Sequence, residues 1–442
     1  MIKFLRLILI SFKISIKFLV NLKHIREAKH IYINSDQFGH SVSDTLIFIE
    51  SFGQKSLVVS LGTEFDIQPI STRNKFFDKC LGKRLIGIYF SKCMIKNGTW
   101  RLINPLSRKI LQFFLFALAN RDCLIYVSKN EFLRTAYLKI IPKKLDVSSE
   151  DATTIVNKLD FKVYTGRIFL HPLGRLSFLL NNTKINSTSI YMGANKSLQK
   201  KINERLLNNS FVCLAIRKGN SPYNSDSDYY FDAIDTLHSA GFMVSIIGDR
   251  KNFLEMARKS DYSTLQKTNN SDLNERDQRI FELLAIENCK FVIGDQGGVW
   301  SLVKAFNKPG LLINASPNSQ LQNNVESFPK KWVYQINGRE FLDAKIIFGE
   351  LFFKWTQESK IFKTFEEQQS YALDVEAPDR LISQPNDNDE VMKVLKRYLE
   401  NSVYLSPNKM SQIVTKNCRE NVFLQIAENA SYSEDYINKL TW

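Results

Sequence analysis

One segment, residues 290–314 (KFVIGDQGGVWSLVKAFNKPGLLIN), limits the possible folds of this chain more than any other. It opens with an apolar run at 291–293, typical of a buried strand, and continues into a glycine-rich turn at 294–298. Apolar residues with helical spacing follow, a Pro-Gly pair at 309–310 ends them, and 311–313 has the composition of another strand. The order strand, glycine turn, helix, strand predicts a parallel βαβ unit.

The glycine turn has a functional and a structural interpretation. Glycines let a diphosphate approach the backbone closely, and free N–H groups at the start of a helix favour an anion. The turn is then a cradle for the phosphates of a nucleotide sugar; the alternative is an ordinary tight turn, and a lone glycine pair leaves both open. In a cradle, Asp295, Gln296, Gly297 and Gly298 would hold phosphate or ribose, and Ser301 would donate from the first helical turn. The charge of Asp295 repels phosphate, so its alternative roles are to cap the helix or to accept a hydrogen bond from a hydroxyl.

Strands and helices alternate through both halves of the chain, which indicates parallel sheets. With 442 residues, the chain is long enough for two domains. We therefore predict an α/β fold of two Rossmann-like domains that face a cleft. The candidate strands outside the segment described above lie at 31–33, 57–59, 124–127, 168–170, 211–216 and 242–247.

Composition suggests where the domains begin and end. A polar stretch at 181–209, rich in Asn, Ser and Lys, links the two halves. The predicted organisation is an N-terminal helix over 1–24, a first Rossmann-like domain over 25–200, a second over 201–405 and a helical tail over 406–442.

Charge indicates an anionic partner, because the chain has a net charge of +15 and a pI near 9.3. The excess lies in the N-terminal half, where Glu27 is the one acidic residue among the first 30 and Asp78 is the one acidic residue in 73–109. A membrane surface, a nucleotide donor and nucleic acid all have the required negative charge.

Residues 1–20 have the pattern of a basic amphipathic helix. Their longest uncharged run, 7–12, is too short to span a bilayer, and no small-residue cleavage site follows it. On a helical wheel the four basic residues fall within an arc of roughly 80°, and most other positions are Leu, Ile, Phe or Val. This pattern predicts attachment to an anionic membrane, and the alternative is a helix packed on the protein's own core. In the membrane interpretation the basic stretch 73–109, with Ile88, Tyr89 and Phe90, extends the same surface.

Cysteine and histidine usage gives no metal site. The six cysteines show no CxxC spacing, and the five histidines form no HExxH pair. Cys213 lies in an apolar run and is predicted to be a small core residue. Scattered cysteines favour a reducing compartment, so we predict a cytoplasmic protein, peripheral on the inner face of the plasma membrane.

Taken in order, the motifs resemble those of a family of bacterial surface-polysaccharide glycosyltransferases. In that family a strand ends in Val-Arg, a Tyr-Arg-Asn loop precedes a helix, a strand ends in Gly-Asp, and a Ser-Gly turn leads into a helix and a Gly-x-Pro step. A Gly-His turn near the N-terminus and a late Pro-Lys loop complete the set. The matching segments here are 211–217, 223–224, 229–241, 247–249, 291–299 and 305–314, with 38–40 near the N-terminus and 328–331 late in the chain.

The resemblance is scattered over most of 31–400 and is densest in 211–317. It implies a GT-B fold with the acceptor lobe first and the donor lobe second. It also implies transfer of a sugar from a UDP- or GDP-sugar to a glycan or lipid-linked acceptor, with no required metal or other cofactor. This chain departs from the family at Tyr223, Gln296 and Asn307, where the family has Arg, Ser and Gly.

Arg217 is the first candidate for catalysis, because it ends the strand 211–216 beside the predicted cleft. A guanidinium pairs with a diphosphate in a bidentate manner, and it stabilises the negative charge that grows as the nucleotide leaves. The alternative role is a salt bridge between two loops. Asp249, which follows the strand 242–247, would contact the base or ribose, or would complete a structural turn.

Sugar transfer also needs a general base on the acceptor hydroxyl. His40 and Asp36 lie in the loop after the strand 31–33, at the end where parallel sheets bind ligands. His40 titrates near neutral pH, and its alternative role is packing within the loop. Asp44, close by, is better explained as a helix N-cap.

Two other classes of function stay open. The departures at Tyr223 and Gln296 suggest a catalytically lapsed relative that acts as a binding protein in the same pathway. Net charge alone suggests nucleic-acid binding, but no RNA-binding module is recognisable and we predict no nucleic-acid partner.

Overall fold

The chain folds into two units. Unit 1 comprises residues 1–158, 182–195 and 275–280, and unit 2 comprises residues 159–181, 196–274 and 281–442. The computed structural model describes residues 2–33, 42, 45–46, 48–49, 51–63, 84–90, 100–126, 135, 138–139, 142, 148–158, 196–204, 210–216, 228–248, 275–295, 297–315, 324–334, 337–340, 342, 381–400 and 431–441.

Unit 1 is built on four parallel strands. Its elements are, in chain order, α1 (Ile2–Val20), α2 (Leu22–Glu27), β1 (His30–Ile33), β2 (Ser56–Thr63), β3 (Leu85–Phe90), α3 (Trp100–Leu118), β4 (Leu124–Tyr126) and α4 (Ser149–Lys158). The strand order is β3-β2-β1-β4, with every neighbouring pair parallel. The chain therefore adds β2 and β3 on one side of β1 and then returns to add β4 on the other.

Helices α1 and α3 cover one face of this sheet. Alternate strand residues point toward them, as the period of two in a strand requires. The cluster that results comprises Ile10, Ile14 and Phe18 of α1, Leu111 and Leu115 of α3, and Ile31, Ile33, Leu57, Val59, Leu61, Ile86, Ile88 and Phe90 of the sheet, with Ile25 and Ala28. The two helices also touch each other, because the rings of Phe18 and Phe114 meet edge to face at 6.3 Å.

The opposite face of the unit 1 sheet carries aromatic side chains. Phe48 and Phe52, from a helical segment that precedes β2, pack against Tyr126 with ring centroids 6.0 and 5.5 Å away. His30 stacks on Tyr126 and lies 4.4 Å from the ring of Phe52. Lys139 places its Nζ 4.5 Å over the ring of Phe52, so a cation borders this cluster.

Unit 2 is built on a larger parallel sheet. Its elements are α5 (Lys196–Ile202), β5 (Phe211–Ile216), α6 (Asp228–Ser239), β6 (Met243–Gly248), α7 (Glu275–Asn288), β7 (Val292–Asp295), α8 (Val299–Ala305), β8 (Gly310–Ala315), β9 (Val325–Pro329), β10 (Lys331–Tyr334), β11 (Leu381–Gln384), α9 (Asn388–Glu400), β12 (Ser431–Tyr432) and α10 (Glu434–Ile437). The first part of α7, residues 275–280, belongs to unit 1. The described strands run in the order β12-β9-β8-β7-β5-β6, and β10 and β11 form a separate antiparallel pair.

Apolar residues fill the interior of unit 2. Every residue of β5 and β8 is buried, which is typical of strands in a parallel sheet covered on both faces. Helix α9 packs against α6 and sends Tyr398 to the ring of Phe291, 5.3 Å away. Arg397, also on α9, forms ion pairs with Glu326 of β9 and Asp435 of α10, so the end of the chain is fastened to the sheet.

The predicted α/β class with two Rossmann-like domains is confirmed, since each unit carries a parallel sheet with helices. The strands predicted at 31–33, 57–59, 124–127, 211–216 and 242–247 correspond to β1, β2, β4, β5 and β6. Cys213 is buried, as predicted. The strand predicted at 168–170 and the polar linker before residue 196 lie outside the described residues.

Two local interpretations are wrong. Residues 88–90, assigned to a charged surface, belong to β3, and Ile88 and Phe90 are buried beneath α1. The segment 328–331, assigned to a loop, joins β9 directly to β10 and includes a buried lysine, Lys330. The described part of the predicted helical tail adds a strand, β12, beside β9 before the short helix α10.

Candidate functional site

The sheet of unit 2 changes its direction of growth between β5 and β7. Ala215 near the end of β5 pairs with Gly294 of β7, and Ile216 pairs with Gly248 at the end of β6. The chain first adds β6 beside β5 and then places β7, β8 and β9 on the other side. Ligands of doubly wound sheets bind outside the carboxyl ends of the strands at such a switch point. This edge is therefore the candidate site of unit 2.

Two glycines bring the neighbouring strands tightly against the end of β5. Gly294 has a φ of +140°, and a Cβ added to it would overlap the carbonyl oxygen of Ala215. Gly248 has a φ of +93°, and its Cβ would overlap the carbonyl oxygen of Ile216. No side chain fits at either position unless a strand moves. These glycines set the spacing of the strand ends that precede Arg217, Asp249 and the turn after β7.

Asp295, the last residue of β7, is buried with 2% of its surface exposed. Its carboxylate accepts hydrogen bonds from the hydroxyls of Tyr229, at 2.9 Å, and Tyr230. Both tyrosines lie in the first turn of α6, and their ring centroids are 4.2 Å apart. The carboxylate thus joins the start of α6 to the end of β7 within the protein interior.

Burial raises the pKa of the Tyr229 hydroxyl well above its usual value, and the nearby charges of Asp295 and Tyr230 raise it further. The hydroxyl therefore stays protonated and remains a donor across the physiological range. A buried carboxylate that accepts two hydroxyl hydrogen bonds avoids the cost of an unpaired charge in the interior.

Trp300 fixes helix α8 against the same strand. Its indole Nε1 donates a 2.7 Å hydrogen bond to the backbone carbonyl of Asp295, and the side chain is fully buried. The N-cap position of α8 is Gly298, which has no side chain to cap the helix. Asp295 accepts hydroxyl hydrogen bonds from two tyrosines of the protein itself. Its assignment to donor binding stays a prediction.

The turn between β7 and α8 is open to solvent at its tip. Gly297 is half-buried and Gly298 is exposed, while their carbonyl oxygens accept the N–H groups of Trp300 and Ser301 at 3.1 and 3.2 Å. Ser301 is half-buried in the first turn of α8. The predicted phosphate-contacting backbone is therefore at the surface of the sheet edge.

The other predicted residues of this site follow the described strands directly in sequence. Arg217 comes next after β5, Asp249 comes next after β6, and Gln296 comes next after β7; all three lie outside the described residues. Because β5 lies between β6 and β7, the three chain positions leave neighbouring strands at one edge of the sheet. Their assignment to donor binding stays a prediction.

The predicted general bases belong to unit 1. His40 and Asp36 follow β1, and both lie outside the described residues, as does Asp44. Strand β1 lies beside β4 at the point where the unit 1 sheet changes its direction of growth. The chain after β1 thus leaves the unit 1 sheet at the position that corresponds to the end of β5 in the unit 2 sheet.

The sequence interpretation missed three polar groups at the unit 2 edge. Tyr229 and Tyr230 had no assigned role, although two tyrosines at the start of a helix are a usable signal when a carboxylate ends a nearby strand. Asn314, at the end of β8, is fully buried with a φ of +51°. Its side-chain oxygen accepts two hydrogen bonds from Asn386, at 2.8 Å from the backbone N–H and 2.9 Å from the side chain. No signal within β8 indicates this pairing.

Metal and membrane signals are absent from the part of the chain that the structure describes. In that part, no three His, Cys, Asp or Glu side chains come together to hold a metal ion. None of the described helices is both long enough and apolar enough to cross a membrane.

No family model matches the sequence, and no curated protein matches it. The fold is similar to solved bacterial glycosyltransferases. A family 9 glycosyltransferase from Veillonella parvula is 10% identical with a TM-score of 0.41, over 85% of this chain and 98% of that one. The ADP-heptose LPS heptosyltransferase II of E. coli is 10% identical with a TM-score of 0.37, over 71% and 92%. The E. coli heptosyltransferase WaaC, solved with ADP, is 12% identical with a TM-score of 0.34, over 68% and 91%.

Proposed function

We propose that the chain is a glycosyltransferase that moves a sugar from a nucleotide-sugar donor to a glycan or lipid-linked acceptor of surface polysaccharide synthesis. One observation carries the proposal. The end of β5 and the turn after β7, which bear the densest part of the motif resemblance, are neighbours at the switch point of a parallel sheet. This pairing supports a single site for motifs that are far apart in the sequence.

The donor's diphosphate would lie against the turn 297–298, where glycines leave the backbone accessible. Arg217 would approach from the end of β5, the central strand of the three, and pair with the same diphosphate. As the glycosidic bond to the leaving nucleotide breaks, negative charge accumulates on the diphosphate oxygens. A fixed guanidinium then stabilises the transition state more than the ground state.

The orientation of the buried Asp295 side chain also favours a diphosphate at this turn. Its carboxylate belongs to the residue at the end of β7, next to the turn, and would repel a diphosphate if it faced outward. Both of its oxygens instead accept hydroxyls from α6, and those dipoles reduce the negative potential at the turn. Tyr229 and Tyr230 are therefore positioning residues for the donor turn.

On the acceptor side, His40 or Asp36 would remove the proton of the attacking hydroxyl. Both belong to the loop after β1 in unit 1. The assignment of the base to either residue rests on the resemblance and on the position of this loop in the chain.

The test is a thermal-shift screen of the full chain against UDP, GDP, ADP and CMP and their sugars, with Arg217→Ala compared with the wild type. Arg339→Ala is the matched control, because Arg339 is an exposed arginine of the same unit. We expect one diphosphate nucleotide to raise the Tm of the wild type and of the control but not of Arg217→Ala. A ligand at 100 times its Kd contributes about 2.7 kcal/mol of stability. If no nucleotide at millimolar concentration stabilises the folded wild type, the donor site is wrong.

The second candidate is the catalytically lapsed binding protein, which the departures at Tyr223 and Gln296 favour. Release of free nucleotide from the stabilising donor, with and without an acceptor, separates the two. Selective nucleotide binding without hydrolysis or transfer would identify the lapsed protein; turnover that is lost in Arg217→Ala would identify the enzyme.

A further inference from the structure

Helices α1 and α3 expose an unusual number of large apolar side chains. Nine of the eleven exposed large hydrophobic residues in the described part of the chain belong to them, at exposures from 43% for Leu106 to 78% for Val20. We call these nine the apolar helix face. Its members are Ile8, Leu9, Phe12, Ile16, Leu19 and Val20 of α1 and Leu106, Phe113 and Phe116 of α3.

The apolar helix face is a single surface rather than two. Both helices bury their inner residues against the same face of the unit 1 sheet, and they contact each other through Phe18 and Phe114. Two adjacent helices on one sheet face turn their outer sides in the same direction, away from the sheet. The exposed side chains of α1 and α3 therefore lie side by side.

The fold itself does not need an apolar outer side on these helices. Ile14 and Phe18 on α1, and Leu111 on α3, already bury the face that packs on the sheet. A helix in such a layer ordinarily has polar residues on its opposite side. Monomeric proteins rarely expose apolar patches above about 300–600 Å², and larger ones mark interaction sites. An exposed apolar outer side of this kind is typical of an interaction surface.

Positive charge is concentrated on the same helices as the apolar helix face and on α2. Residues 8–30 and 105–126, which contain α2 and most of α1 and α3, hold eight Lys and Arg against two acidic residues. Lys17, Lys23, Arg26 and Lys109 are exposed among them. Lys13 is different, because its Nζ donates to the backbone carbonyl of Tyr89 beneath α1 and lies 5.2 Å over the ring of Phe90. We call these exposed lysines and Arg26, which lie on α1, α2 and α3, the cationic border.

Exposed apolar side chains together with exposed cations favour one binding partner for this face. A second copy of the chain would bring an identical cationic border against the first, and like charges oppose such a symmetric contact. An anionic lipid bilayer satisfies both parts: acyl chains accept the Phe, Leu and Ile side chains, and headgroups neutralise the lysines, whose stems reach outward.

We propose that the apolar helix face docks unit 1 on an anionic membrane, with α1 and α3 lying in the interface plane. The sequence alone had assigned this role to an N-terminal helix with one basic and one apolar side. In the structure α1 is apolar on two sides, one of which packs on the core while the other forms the docking surface together with α3.

The experiment is flotation of the full chain with two kinds of vesicle: phosphatidylcholine alone, and phosphatidylcholine with phosphatidylglycerol at roughly 7:3. We expect binding to the anionic vesicles that weakens as salt is added. The triple variant Phe12→Ser, Phe113→Ser, Phe116→Ser should lower the partition coefficient about tenfold or more. Its matched control is Met243→Ser, which removes an exposed apolar side chain from unit 2 and should leave binding unchanged.

The charged border has its own pair of variants. Lys17→Gln with Lys109→Gln should lower binding to anionic vesicles about fivefold for each lost charge, and should not affect neutral ones. Lys290→Gln, at an exposed lysine of unit 2, is the control. Circular dichroism and Tm verify that each variant is folded, and Phe113→Ser alone carries the same test if the triple variant is not.

Three outcomes would overturn the proposal. The wild type could stay unbound with both vesicles, or the triple variant could float like the wild type. The wild type could instead sediment as an oligomer that the triple variant converts to a monomer without any vesicle binding, in which case the face contacts a second copy. The readout involves no nucleotide, so it is independent of the proposed transferase activity.

Discussion

The two parallel sheets differ in where their unusual features lie. In unit 2 they lie at the carboxyl edge of the sheet, where two glycines and a buried Asp–Tyr cluster fix the ends of β5 and β7. In unit 1 they lie on the outer side of the helix layer, which is apolar and exposed. Among the described residues, Met243 is the one exposed large hydrophobic of unit 2.

The difference separates two kinds of function on one architecture. The edge of a parallel sheet is rigid, so it can hold groups in a defined geometry. The outside of a helix layer contributes little to folding, so its residues are available for contact with another phase or molecule. The two proposals therefore place donor binding at the sheet edge of unit 2 and membrane attachment on the helix layer of unit 1.

The largest expected effect concerns Gly294 at the unit 2 edge. Gly294→Ala places a methyl group on the carbonyl oxygen of Ala215 at a φ of +140°, and we expect a loss of about 4 kcal/mol in the free energy of unfolding. Gly53→Ala is the control: Gly53 has a φ of +67° but no atom within 4 Å of the added Cβ, so strain alone costs about 1 kcal/mol. Urea unfolding followed by tryptophan fluorescence measures both. Equal losses would show that close strand packing does not constrain position 294.

An intermediate effect distinguishes the two sides of α3. Leu111→Ala removes a fully buried side chain from the unit 1 core and should cost about 3 kcal/mol. Phe113→Ala, two residues along the same helix, removes a ring that is 71% exposed and should change stability by less than about 0.5 kcal/mol. Urea unfolding monitored by far-UV circular dichroism compares them. A large loss for Phe113→Ala would mean that the outer side of α3 is part of the core.

The smallest effect is a pH dependence within unit 1. Burial lowers the pKa of His30 below its usual 6.5, and the charges of Lys139 and Lys29 lower it further. Between the folded and unfolded pKa values the unfolded chain binds more protons, so stability falls as the pH drops below about 6.5. Comparing Tm at about pH 7.5 and about pH 5, we expect a larger decrease for the wild type than for His30→Gln.

Lys139→Gln removes one of the charges that lower the pKa of His30, so its pH dependence should lie between those of the wild type and His30→Gln. If Tm fell with pH to the same extent in all three proteins, then protonation of His30 would make no contribution to stability in this pH window.

Hydrophobic periodicity alone was sufficient to predict the strands and helices whose apolar residues fit only one type of secondary structure. The order β7, turn, α8, β8 follows from the apolar runs of 290–314 and the position of the glycines. By contrast, β3 was missed because Lys83 and Arg84 precede it and Lys92 follows closely, so the segment has the composition of a surface. Pairing with β2 and burial beneath α1 decide its structure, and neither is visible locally.

The candidate site was predictable only in part, for the same reason. The glycines and the edge of the sheet follow from local pattern and chain order. The partners of Asp295 do not, because Tyr229 and Tyr230 lie 66 and 65 residues earlier in the chain. For α1, apolar residues around most of the helix left two possible sides for the core. Packing against α3 and the sheet determined which one is buried.

Positions 248 and 294 require glycine, whose side chain is a single hydrogen atom. The carbonyl oxygens of Ile216 and Ala215 occupy the space that any side chain would need, one from each flank of β5. A mutational scan should therefore find these two positions as intolerant as any catalytic residue, even for alanine, although neither glycine has a group that could bind or react. Intolerance to substitution at this sheet edge would therefore not distinguish residues required for close strand packing from residues that contact a ligand. Measuring ligand binding by the variants that still fold would distinguish the two.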